Sequence, residues 1–282
     1  MGINHRLNLF HAYFSHDRDF ECSWKDLVGK IILPPCAVIA KSYIVKMEED
    51  GAYKKIYLRN IKKPLYWPQT IPLHNLYMII SELSYKKNWH YYEVPETRVK
   101  TGDVVLDCGA AEGLFSLRIM ERAQCVIIEP SPVFVESLEK TFHNESSVQI
   151  IPYALSNEEG RANLCSGLLN ATIDITMKES LESSLSVKTI TIDKMVKDLG
   201  LMKVDYIKGD LESFEMKVLQ GGEQTIREFK PKIALTTYHQ GNNWKEIRDF
   251  VLSVVPDYAW RVKGLSYLNR LPKPVMIHFW PT

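Results

Sequence analysis

The chain has 282 residues, of which 45% are apolar and 24% charged, with 35 Lys and Arg against 34 Asp and Glu. Such proportions exclude a disordered, collagen-like or coiled-coil protein and suit one large domain, or a main domain with a smaller appendage. A formal charge of +1 argues against nucleic acid as the partner, because that affinity comes from neutralised phosphates.

The first twenty residues are polar and broken by charges, so they do not read as a secretory signal. Gly2 resembles a myristoylation start only superficially, since Arg stands at position 6. The apolar stretch from Leu27 to Ala40 is interrupted by Lys30 and Pro34-Pro35, which leaves it short of the ~20 residues a membrane span needs. Val38–Met47 and Tyr53–Arg59 are rich in β-branched and aromatic residues and flank Glu48-Glu49-Asp50-Gly51, which predicts a hairpin. After a loop punctuated by Pro64, Pro68 and Pro72, helical spacing of Leu76, Ile79, Ile80 and Leu83 predicts a short amphipathic helix. Residues 1–95 therefore read as a small mixed α+β appendage, a substrate cap with no recognisable chemistry, and residues 96–282 as the main domain. Trp24, Trp67 and Trp89 in the appendage suit a substrate mouth, although such residues are more often core.

From Thr101 the pattern becomes strand, turn and helix in alternation. Val104-Val105-Leu106 is a buried run, followed by a glycine turn and a helix carrying Leu114, Leu117 and Met120. Cys125–Glu129 is a second run, and Ser131-Pro132 opens a helix through Phe142. Val148–Ala154, Val204–Gly209 and Ile233–Tyr238 follow as strands, with Ser213 as the cap of a helix that Gly221-Gly222 ends. Trp244, Ile247, Phe250, Val251 and Val254 mark a helix stopped by Pro256, and Tyr258–Val262 and Met276–Trp280 close the chain as strands. Apolar runs alternating with amphipathic helices predict an α/β, doubly wound, mostly parallel sheet. The short loop before the last strand leaves no room for a helical crossover, so that strand is expected antiparallel. Ligands of such sheets sit outside the carboxyl ends of the strands, where strand order reverses.

The turn after the first of these strands reads Asp107-Cys108-Gly109-Ala110-Ala111-Glu112-Gly113. Its glycines permit a tight turn and close ligand approach, and Glu129, ~20 residues on, is placed to accept hydrogen bonds from ribose hydroxyls. A glycine turn alone also serves packing, and an acid alone also favours a helix start. Their joint spacing points to a nucleoside-containing cofactor. The third glycine of a dinucleotide turn is missing, and Asp107 and Glu112 would repel a pyrophosphate, so an acidic turn suits a cationic ligand such as S-adenosyl-L-methionine. No phosphate loop for ATP occurs.

Val104 through Ser116 resembles the first motif of FkbM-type methyltransferases. Ala154-Leu155-Ser156-Asn157, Lys188–Asp193, Asp205–Glu212, Lys230–Ala234 and Tyr238-His239 follow in the family's order, over roughly residues 99–265. The resemblance implies a Rossmann-like class I methyltransferase fold and O-methylation of hydroxyls on sugars or secondary metabolites. It places Asp107, Gly109 and Gly113 at the methionine end of the cofactor, Glu129 at the ribose, and Ala154 and Leu155 beside the adenine; Ala110 and Glu112 of the same turn are also expected to bind the cofactor. One position departs from the family, which usually has Gly where this chain has Ser213.

Asp210, Glu212 and His239 fall at the carboxyl ends of neighbouring strands. Methyl transfer to an alcohol needs an aligned nucleophile and removal of a proton, so His239 is the expected general base, Asp210 a positioning group and Glu212 the group orienting a partner. Lys208 is a weaker candidate, expected to cover apolar surface. The same three residues suit a hard divalent cation, but no dedicated ligand spacing commits the sequence to one. Methyl transfer to nitrogen or carbon, a nicotinamide oxidoreductase and an inert binding module remain open alternatives. The acceptor is expected to be a small neutral molecule or glycan. Cys22, Cys36, Cys108, Cys125 and Cys165, with no Cys-x-x-Cys pair, fit reduced thiols in a cytoplasmic protein.

Overall fold

The computed structural model describes residues 3–14, 23–164, 173–174, 185–239, 243–266 and 273–282. Cys22, Cys165 and Pro272 lie outside the described residues, while Cys36, Cys108 and Cys125 are free thiols.

The amino-terminal part opens with helices α1 (Ile3–Phe14), α2 (Trp24–Ile32) and α3 (Cys36–Tyr43). Ser23 caps α2 by accepting a hydrogen bond from the Asp26 amide at 3.2 Å. The strand expected from Val38 begins only at Ile44. Pro35 stands at the N-cap of α3, where its fixed φ leads into a helical turn, and Ile39 and Ala40 bury the face that turn presents. β1 (Ile44–Asp50), β2 (Tyr53–Leu58) and β3 (Leu65–Pro68) then form an antiparallel meander, with Gly51 at φ +61° in the expected hairpin turn. Helix α4 (Leu73–Ser84) buries Leu76 and Ile80 as its spacing requires.

The main sheet is built from β4 (Val104–Cys108), α5 (Leu114–Ile119), β5 (Gln124–Ile128), α6 (Pro132–Thr141) and β6 (Val148–Ile151). The strand expected to run on to Ala154 stops at Ile151, because Pro152 offers no amide to the ladder. Ala154 belongs instead to a second sheet of β7 (Ala154–Leu155), β8 (Gly160–Leu164), β9 (Ile173–Asp174) and β10 (Leu185–Ile190), ordered β7-β10-β8-β9. Helix α7 (Ile192–Asp198), capped by Thr191, leads to β11 (Tyr206–Gly209). Gly221-Gly222 divides the next helical segment into α8 (Glu215–Gln220) and α9 (Glu223–Phe229). Ser213 is not the cap of α8: Phe214 holds that position, and Ser213 sits at φ +86°. β12 (Lys232–Thr236), α10 (Trp244–Val254), β13 (Tyr258–Lys263) and β14 (Met276–Pro281) complete the fold.

The seven strands of the main sheet are ordered β13-β14-β12-β11-β4-β5-β6. β12, β11, β4, β5 and β6 are parallel, and β14 runs antiparallel to β12 and β13, as expected. Strand order reverses between β4 and β11, so the carboxyl ends of these two strands flank the crevice. The amino-terminal meander docks on α6: the Tyr53 hydroxyl donates to Glu136 at 3.0 Å, the Tyr66 amide donates to Thr141 Oγ1 at 3.0 Å, and Ser137 donates to the Tyr66 carbonyl. Trp67, fully buried, donates its indole N–H to the Ile71 carbonyl at 2.9 Å, and Trp89 is likewise core, whereas Trp24 is exposed. None of the three lines the cavity at the carboxyl ends of the sheet. Among the described residues, no helix is long and apolar enough to cross a membrane.

Candidate active site

Every residue of β4 is buried, and its register against β11 sets Asp107 opposite Lys208. Pairing on adjacent strands brings the Lys208 ammonium to 3.0 Å from Asp107 Oδ1, while Ser116 Oγ donates to Asp107 Oδ2 at 2.7 Å. The same ammonium donates to the Gly109 carbonyl at 2.6 Å and so ties the strand end to the turn. Burial works against the Lys208 charge, but the Asp107 and Asp210 carboxylates outweigh it and hold its pKa above the usual lysine range. Lys208 is therefore a buried pairing partner and part of the cavity wall, not a cover for apolar surface.

The turn itself needs its glycines. Gly109 adopts φ +68°, and a Cβ there would collide with the Asp210 carbonyl; Gly113 adopts φ +80° and packs under Leu138 and Phe142. Glu129, leaving β5, accepts hydrogen bonds from the Ala111 amide at 2.8 Å and the Ser131 amide at 2.9 Å. Glu112 accepts from the Leu114 amide at 3.2 Å. Burial pushes the Glu129 and Glu112 carboxyls up to about 7, against the pull of those amides.

Above the turn lies a cavity of about 400 Å³. One pole is walled by Gly109, Ala110, Glu112 and Glu129 together with the Pro130–Phe134 entry to α6. Leu155, Leu164 and Leu185 of the second sheet form an apolar side wall. The other pole holds Glu82, His90, Tyr92, Asp210, Glu212 and Tyr238.

Asp210 is the centre of that second pole. Tyr92 donates its hydroxyl to Oδ2 at 3.0 Å and Thr236 donates to Oδ1 at 3.2 Å. An imidazole flanks each oxygen: His90 Nε2 lies 3.6 Å from Oδ2, and His239 Nε2 lies 3.6 Å from Oδ1. His239 Nε2 also faces Glu212 at 3.4 Å, and its Nδ1 meets Glu215 Oε1 at 3.2 Å. Burial opposes charge on Asp210, but the imidazoles and Lys208 outweigh it and hold the carboxyl below its usual range. The two histidines differ. Burial drives His90 down to about 4 despite Asp210, whereas for His239 burial is overcome by the Glu215 hydrogen bond and the Asp210 and Glu212 carboxylates, which lift it to about 9.

Of the residues singled out by sequence, Gly109, Ala110, Glu112, Glu129, Leu155, Asp210 and Glu212 line the cavity. Asp107, Gly113, Ala154 and His239 lie one layer behind it: Asp107 holds the turn through Lys208 and Ser116, Gly113 packs on α6, Ala154 pairs with Thr189, and His239 backs Asp210 and Glu212. Glu82, His90 and Tyr92 were not singled out, nor Tyr238 as more than the motif neighbour of His239. The first three come from the stretch read as chemically silent, where only the aromatic run Trp89–Tyr92 with its histidine gave a signal.

A mostly parallel sheet with a glycine turn and a paired carboxylate at its switch point defines the α/β class of nucleoside-cofactor folds. The methyltransferase FkbM domain matches residues 107–258, more than half of the chain. The chain belongs to this family. It is also similar to the hexuronic acid methyltransferase AglP of Haloferax volcanii, with 26% identity over 146 residues, 51% of this chain and 59% of that protein. Among solved structures, the FkbM methyltransferase of Methylobacillus flagellatus KT is 20% identical at a TM-score of 0.47, covering 74% of this chain and 52% of that one. Aeropyrum pernix fibrillarin, solved with natively bound S-adenosyl-L-methionine, is 10% identical at a TM-score of 0.40, covering 84% of this chain and 98% of that one.

Proposed function

We propose that the protein is an S-adenosyl-L-methionine-dependent methyltransferase that O-methylates a hydroxyl of a saccharide or glycoconjugate. The observation that carries this reading is one cavity with two unlike poles: a glycine turn backed by Glu129 at one, and Asp210 between two histidines at the other. The cofactor supplies an electrophilic methyl on a sulfonium. The residues present fit it. Glu129 has both oxygens fixed by backbone amides and keeps lone pairs for ribose hydroxyls, Glu112 adds negative charge for a cation, and Leu155, Leu164 and Leu185 give an apolar face for a base. Asp107 and Gly113 act from behind by shaping the turn, and Ala154 fixes the start of the strand that carries Leu155.

At the other pole Asp210 receives the acceptor hydroxyl, held in place by Tyr92 and Thr236. Asp210, with Glu212 beside it, takes the hydroxyl's proton; His90 stands next to it on the cavity wall, and His239, lifted to about 9, supports both carboxylates from behind. Residues 1–95 act as the cap of this pole through Glu82, His90 and Tyr92. The wall is rich in carboxylates, and Lys208, already paired to Asp107, is its one Lys or Arg among the described residues. That balance favours a neutral hydroxyl over an anionic group at the reacting position. The likeness to a hexuronic acid methyltransferase supports a sugar acceptor.

The test is methyl transfer from tritiated S-adenosyl-L-methionine to a panel of uronic-acid and neutral glycans, with an amine panel as control. Label on an ether oxygen supports the reading, and label only on nitrogen or carbon overturns O-methylation.

A further inference from the structure

We propose that Asp210, Glu212 and His239 form a binding site for a divalent first-row transition-metal cation, with Glu215 fixing the histidine from behind. One donor atom from each of the three residues lies within 4.8 Å of the others. His239 is only 7% exposed, and among the described residues its Nε2 has no hydrogen-bond partner. That nitrogen points into the space between the carboxylates, at 3.4 Å from Glu212 Oε2 and 3.6 Å from Asp210 Oδ1. Both separations are long for hydrogen bonds and lie near the edge of about 3.4 Å expected between ligands arranged tetrahedrally at ~2.1 Å from one ion, while the carboxylate pair, within 4.8 Å, would close up on binding it.

The outer shell has the arrangement a ligating histidine needs. Nδ1 of His239 is held by Glu215 Oε1 at 3.2 Å, and that fully buried carboxylate also accepts from the Leu211 amide at 3.1 Å. A carboxylate on the far nitrogen fixes ring orientation and raises ligand basicity, which is the usual support of metal-bound imidazole. Tyr92 and Thr236 likewise fix the Asp210 carboxylate.

One imidazole with two carboxylates is too nitrogen-rich for calcium and has no thiolate for a soft ion; it suits Mn²⁺, Fe²⁺ or Zn²⁺. Asp210 and Glu212 line the cavity while His239 lies behind them, so the open coordination positions face the cavity. A cation held there would seat the acceptor oxygen. That role rests on the methyltransferase reading, whereas the site itself does not.

The experiment is titration of chelator-stripped protein with Mn²⁺, followed by electron-spin-echo spectroscopy of the complex, with S-adenosyl-L-methionine titrated into the same preparations. The expected result is one bound Mn²⁺ with nitrogen-14 modulation from a single imidazole, and an affinity that falls about tenfold or more in His239→Gln and in Asp210→Asn. S-adenosyl-L-methionine affinity should change little in either variant. Absence of stoichiometric Mn²⁺, or bound Mn²⁺ without nitrogen modulation, overturns the site. The wild-type spectrum decides this even where a variant fails to fold. Mn²⁺ binding without cofactor binding would uphold the site and overturn the methyltransferase reading, so the two failures are distinguishable.

Discussion

The two poles of the cavity are built in opposite ways. The pole proposed for the cofactor is built mainly by one βαβ unit, in which Asp107 through Glu129 supply the turn, its glycines and the carboxylate that accepts from Ala111, with an apolar wall added by the second sheet. Its geometry is local and rests largely on backbone. The acceptor pole gathers His90, Asp210 and His239 from three segments far apart in the chain, and its chemistry lies in side chains meeting around one carboxylate. A local pole tolerates little change in the backbone, while an assembled pole depends on each segment reaching its place.

The largest effect should fall on the assembled pole. Asp210→Asn is expected to lower turnover by about 10²–10⁴-fold while leaving cofactor affinity within about threefold, measured by methyl transfer and calorimetry side by side. Equal loss of both would show that the poles are one cooperative unit. Next comes the link between them. Lys208→Met leaves Asp107 buried without its cation and should cost about 3–5 kcal/mol of stability, read from denaturant unfolding. A cost below about 1 kcal/mol would mean that Ser116 suffices to hold the turn.

Glu129→Gln sharpens the comparison on the local side. Removing the charged acceptor should weaken S-adenosyl-L-methionine binding by about 2 kcal/mol without unfolding the chain. The wild type should also show a pH dependence with a definite sign. Because burial lifts Glu129 to about 7, the carboxylate is protonated as pH falls below that value. Affinity should therefore drop about tenfold or more from pH 8 to pH 6 in the wild type, and by less in Glu129→Gln, where Glu112, also lifted to about 7, is the group left to titrate.

The smallest effect is expected at Ser213, whose φ of +86° glycine adopts without strain. Ser213→Gly should stabilise the protein by about 1 kcal/mol, seen as a modest rise in Tm.

The difference between the poles also explains what the sequence made legible. Glycine spacing and a carboxylate ~20 residues on encode a local turn, and that logic points to Gly109, Glu112 and Glu129, which line the cavity. The rule that ligands sit at the carboxyl ends of parallel strands points to Asp210 and Glu212, which also line the cavity. His90 and Tyr92 escaped because no periodicity reports that an irregular segment 118 residues before Asp210 folds back onto it. Lys208 was misread for a related reason, since its pairing with Asp107 is fixed by cross-strand register and not by spacing. Two strand boundaries shifted where Pro35 and Pro152 stand, positions at which backbone chemistry outweighs apolar content.

The central claim is that the local pole binds a cationic nucleoside cofactor. Isothermal titration of the full chain with S-adenosyl-L-methionine, and separately with NADH, tests it directly. The account predicts one site for S-adenosyl-L-methionine, weakened in Glu129→Gln, and no measurable heat from NADH. Binding of NADH with none of S-adenosyl-L-methionine would contradict it.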